Sequence, residues 1–122
     1  LTERREANME VREEVVRALL NESMFTNVTV MRVVKEGDLP CELGYGVGLA
    51  VSRCSPETVV IGVAGRSHGC AYILEGTACE VRTEDAEAVQ QAIQRAEEKA
   101  RAFAKCLARG IEWQERFLRG EL

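Results

Sequence analysis

At 122 residues the chain is expected to form a single domain, and 46% hydrophobic against 30% charged residues suits a soluble fold with a sizeable core. With 16 basic and 20 acidic residues the net charge is -4, which gives no long-range pull toward nucleic acid. No apolar run reaches the roughly 18 residues of a membrane span.

No signal-peptide pattern is visible, and a start at Leu1 rather than Met leaves room for residues upstream. The five cysteines, at 41, 54, 70, 79 and 106, form no CxxC pair. Buried thiols in a reducing compartment are the expectation, hence a cytoplasmic protein.

Residues 3–22 read as an amphipathic helix, with Val11, Val15, Val16, Ala18, Leu19 and Leu20 on its apolar side. Residues 25–34 follow as a strand rich in β-branched side chains. Strict alternation puts Val28, Val30, Arg32 and Val34 on one face, and Thr29, Met31 and Val33 on the other.

The loop 35–40 (KEGDLP) leads to the most distinctive stretch, residues 44–52 (GYGVGLAVS). Its period of two predicts a strand with two unlike faces. Gly44, Gly46, Gly48, Ala50 and Ser52 make the small one; Tyr45, Val47, Leu49 and Val51 make the bulky one. Glycine inside a strand marks a close approach to its backbone. The expected approach is by a helix, because Ala88, Ala92, Ala96, Ala100, Ala104 and Ala108 recur every four residues; a ligand is the alternative.

Further strands are expected at 58–64, 70–75 and, briefly, 78–82, with Gly76-Thr77 as a tight hairpin turn. Their short links permit antiparallel pairing only. Thr83 is the expected N-cap of a long final helix, with Glu84 and Asp85 in its first turn. Gly110 is expected to cap or break that helix, leaving a short tail with Trp113, Phe117 and Leu118. The fold class is therefore α+β: an antiparallel meander of four or five strands, flanked by an N-terminal helix and a long C-terminal helix. With both sheet faces apolar and an apolar tail, a homo-oligomer is expected.

The function is read from Gly65, Arg66, Ser67, His68, Gly69 and Cys70, which hold the only histidine. Successive amides of a glycine-flanked turn can form an anion nest. Arg66 could clamp a phosphate or carboxylate, and Ser67 could add a hydrogen bond. His68 is the natural acid–base group if the site is an enzyme's, with Cys70 on the same side as a weaker nucleophile. Tyr45 is a candidate to stack on a ligand ring.

The blander reading of this turn is a solvated hairpin end. Its spacing matches neither GxGxxG nor GxxxxGK[ST], so no cofactor is implied. The cysteines and His68 lack the spacing of a metal site. The expectation is binding of a small anionic molecule at this turn. The alternative is a regulatory or assembly subunit whose sheet face and tail are interfaces. Neither nucleic acid nor a membrane is an expected partner.

Overall fold

A computed structural model describes residues 2–20, 28–34, 47–67 and 70–121. Helix α1 spans Thr2–Leu20, and strands β1 to β5 span Val28–Val34, Val47–Arg53, Thr58–Ser67, Cys70–Ile73 and Cys79–Arg82. Helix α2 spans Ala86–Leu118. The strands form one antiparallel sheet in the order β1-β2-β3-β4, with β5 paired to β3. This is the α+β arrangement expected from the sequence.

Both helices lie on one face of this sheet. Val47, Leu49 and Val51 of β2 join Val59, Ile61 and Val63 of β3 in a cluster with Val15 and Leu19 of α1 and Val89 and Ile93 of α2. Burying each such side chain contributes roughly 1.5–3 kcal/mol. Ala92, Ala96, Ala100 and Ala104 belong to the same cluster. Among the described residues the alanine stripe therefore meets the bulky parity of β2, whereas Gly48 of the small parity faces Val30 and the Arg32 backbone, so the helix contact expected from the sequence is overturned there. Size complementarity explains it: a small-faced helix lies close over branched side chains without overpacking.

The glycine parity has a different cause, the curl of the sheet. Two strands lie between β1 and β4, and at about 4.8 Å per step a flat sheet would hold them roughly 14 Å apart. They instead approach to within 8 Å between Cα atoms, so the sheet is bent into a half-barrel. Small residues face the inside of the bend: Gly48 and Gly62 are buried, Ala50 is 0% exposed and Ala64 is 5% exposed. A Cβ on Gly48 would stand 2.6 Å from the Arg32 carbonyl oxygen, and one on Gly62 would stand 2.5 Å from Cγ2 of Ile73. Gly44, Tyr45 and Gly46 lie outside the described residues.

Two irregularities in the sheet were not legible from alternation. In β1 the register shifts between Val30, opposite Ala50, and Arg32, opposite Leu49. This bulge at Met31 moves Arg32 off the face of Val28 and Val30 and onto the helix face.

The other irregularity concerns β4 and β5, which were expected to form a hairpin. They run the same way along one edge of β3, and residues 74–78 bulge out between them. Thr77 fills the gap: its Oγ1 accepts from the Val63 amide at 3.0 Å and donates to the Leu74 carbonyl at 2.7 Å. Gly76, at φ 84°, holds the third position of the turn closed by Thr77 N–H on the Leu74 carbonyl.

Helix α2 is also capped differently from expectation. Asp85, not Thr83, is the N-cap, accepting from the Ala88 amide at 3.0 Å. The helix runs through Gly110 without a break. It ends at Gly120, φ 76°, where the Gly120 and Glu121 amides bond back to the Phe117 and Arg116 carbonyls. That is a Schellman stop, with glycine in the left-handed position that other residues resist. No helix among the described residues is long and apolar enough to cross a membrane.

Candidate functional site

The stretch singled out in the sequence is only partly a turn. β3 continues through Ser67, with Gly65 opposite Tyr72, Arg66 opposite Ala71 and Ser67 opposite Cys70. Successive strand amides point to opposite sides, so those of Gly65, Arg66 and Ser67 do not converge on one anion. The Tyr72 ring lies across Gly65: a Cβ there would stand 2.6 Å from Cζ, and Tyr72 keeps 43% of its surface exposed. His68 and Gly69 lie outside the described residues, as does Tyr45. Arg66, Ser67 and Cys70 are placed by backbone only, together at one end of the sheet.

The cysteines whose side chains are described do not assemble, and two of the three are exposed, against the expected burial; Cys41 lies outside the described residues. Cys54 is exposed in the β2–β3 link, Cys79 packs half-buried against the core, and Cys106 is exposed on α2. Among the described residues no group of three His, Cys, Asp or Glu side chains could hold a metal ion.

The most developed polar cluster is one that sequence reasoning missed. Arg32, carried to the helix face by the bulge, donates from Nε to Glu14 of α1 at 2.7 Å and from both terminal nitrogens to Glu14 and Glu97. All three side chains are at least two-thirds buried, and Arg101 approaches Glu97 at 4.0 Å. The two-pronged bond from Arg32 is the main cause holding the Glu14 carboxyl below its ordinary pKa. It outweighs partial burial, and the charges of Arg32 and Arg17 add to it. The cluster ties β1 to both helices, and its bonds are already satisfied, so it is a structural clamp.

The other prominent feature is the end of α2. The helix starts beside Thr58, which pairs with Arg82, and Lys99 reaches the Gly76 carbonyl at 3.4 Å, level with Val63. It thus runs along β3 in the direction of β3. Helical rise of about 1.5 Å against strand rise of about 3.3 Å brings α2 past Ser67 near residue 108. By that rise the last ten residues of α2 extend past the described end of β3. There Trp113 is 57%, Phe117 68% and Leu118 75% exposed, and Arg116 lies 5.3 Å from the Trp113 ring. The sequence had marked these three apolar residues, although not the unbroken helix that carries them.

At the opposite end of the molecule a groove of about 390 Å³ opens where the β2–β3 link meets the start of α2. Val16 and Pro56 line it with Arg53, Glu57, Arg82 and Glu84. No family model, curated protein or solved structure matches this chain.

Proposed function

We propose that this chain is a subunit of a homo-oligomer and that the C-terminal end of α2 is its association element. One observation carries the reading: Trp113, Phe117 and Leu118 stand exposed on a continuous, capped helix whose end, by its rise, runs past the described end of β3. Together they present roughly 400 Å² of apolar surface, within the size of patches that mark interaction sites. Single exposed apolar residues are ordinary, but three within one and a half turns of a projecting helix are a concentrated liability in water.

Trp113 is the only tryptophan, so its emission reports on this surface alone. The expected result is a blue shift and weaker acrylamide quenching as protein concentration rises. Emission and quenching that stay constant from micromolar to millimolar protein would remove the proposal.

A second reading is binding of a small phosphate- or carboxylate-bearing molecule at Gly65, Arg66, Ser67, His68 and Gly69. It is favoured by place: a rigid strand delivers Arg66 and Ser67 to the sheet end that α2 runs past, and subunit boundaries are where clefts form. In this reading His68 supplies acid–base chemistry if the chain is an enzyme. Phosphate titration followed by NMR tests it: the amides of residues 65–70 should shift selectively, and an even or absent response counts against it.

A further inference from the structure

We propose that two copies pair antiparallel along α2, crossing at Gly110, so that Phe117 of each copy faces Phe103 of the other and Trp113 faces Leu107. This rests on the reading of α2 as an association element and adds its partner and register.

The helix face is self-complementary. Phe103, Gly110 and Phe117 recur every seven residues and form one stripe, with Leu107 and Trp113 on either side of it. Phe103 and Leu107 are only partly covered by the core, whereas Trp113 and Phe117 stand exposed. Counted from Gly110, the two phenylalanines lie seven residues either way, and Leu107 and Trp113 lie three. A two-fold axis there brings each half-buried residue against an exposed aromatic of the other copy. Gly110 has nothing within 4 Å of its would-be Cβ and no positive φ, so nothing in its own copy calls for glycine. At a crossing point, its missing side chain admits the second helix.

The sheets permit this register. α2 passes the described end of β3 near residue 108, so the second copy's sheet end comes level with about residue 112. The sheets then lie on opposite sides of the crossing, while the stretches 103–117 overlap in full. A crossing earlier than about residue 108 would bring the two sheets level with each other.

Charge sets the direction. Arg95 and Lys99 precede Trp113 and Phe117 by eighteen residues, five whole turns, and so share their side of α2. Arg95 has no ion pair among the described residues, and Lys99 reaches the Gly76 carbonyl at 3.4 Å. In the antiparallel pair the other copy's helix end, negative through its dipole and Glu121, comes level with Lys99. Glu121 already meets Arg116 and Arg119 at 3.5 and 3.2 Å, but its two oxygens are 47% exposed and accept further donors. A parallel pair would set Lys99 against Lys99 and Arg95 against Arg95.

The area fits a reversible pair. Trp113, Phe117 and the uncovered parts of Phe103 and Leu107 give roughly 500 Å² on each copy, or about 1,000 Å² in total, the threshold of a specific interface.

The experiment mixes the full chain, carrying the photo-crosslinking residue p-benzoylphenylalanine in place of Phe117, with an isotope-labelled copy. The expected products are intermolecular links to residues 99–107. The same group in place of Gln114, with both aromatics kept, repeats the measurement should the first variant misfold; its expected links are to residues 103–110. Gly110→Gln keeps the helix but fills the crossing, and should weaken the pair by about tenfold or more. Links only to residues 113–121 of the second copy, or only to residues outside α2, would overturn the register while association through α2 stood. Undiminished pairing of Gly110→Gln would do the same. A chain that stays monomeric and yields no intermolecular link would overturn both.

Discussion

Cγ2 of Ile73 stands 2.5 Å from the place a Cβ on Gly62 would occupy, and Oγ1 and the carbonyl oxygen of Thr77 stand 3.0 and 3.2 Å from it. Ile73 can move a little, but the Thr77 backbone is held by its bonds to Leu74. Gly62→Val should therefore destabilise by about 1–3 kcal/mol through overpacking inside the curl. Urea unfolding measures this, and a loss under about 0.5 kcal/mol would mean the sheet is flatter than described.

Gly110 is the contrasting glycine. It lies inside α2, nothing stands within 4 Å of its would-be Cβ, and its φ is not positive. Gly110→Ala should stabilise by about 0.8–1 kcal/mol, the difference in helix propensity, and raise the melting temperature. An unchanged or lowered midpoint would show that the helix is broken there after all.

These two glycines show what the sequence could and could not reveal. Periodicity identified both helices and the strands, because alternation and the 3.6-residue repeat record which side chains are buried. It could not reveal a bulge: Met31 differs from its neighbours only in backbone geometry, yet it sets which face Arg32 occupies. Nor could it assign a partner to the small parity of β2, since a close helix and a tight curl both require glycine. Gly110 and Gly120 are identical as residue types, and only Gly120 has the left-handed φ of a helix stop. At the candidate site, the pairing of Gly65 with Tyr72 extended β3 into what composition suggested was turn. Strands differ from glycine-rich turns in their partners, which lie elsewhere in the chain.

Arg32 holds two carboxylates on two helices, so its loss leaves Glu14 and Glu97 partly buried without their cation. Arg32→Met should destabilise by about 1.5–3 kcal/mol, the range for hydrogen bonds to charged groups. Arg32→Lys keeps the charge but not the fork and should fall between the two. Equal stability of all three proteins in urea would show that the clamp contributes nothing.

The same cluster sets a pH dependence. The Glu14 carboxyl is held below its ordinary value, so the folded state releases this proton more readily than the unfolded chain. Its contribution is complete above the unfolded carboxylate range, near pH 4–5, and is lost as pH falls through the folded value. The stability gap between wild type and Glu14→Gln should be constant from pH 7 to about pH 5 and shrink below it. A gap independent of pH down to pH 3 would contradict the clamp.

The central claim is that the end of α2 is an interface, and sedimentation equilibrium tests it most directly. The wild type should show a weight-average mass rising from 13.5 kDa toward twice that value with concentration, while Trp113→Ala/Phe117→Ala stays at the monomer mass. A wild-type mass fixed at 13.5 kDa into the millimolar range, or association unaffected by losing both aromatic side chains, would contradict it.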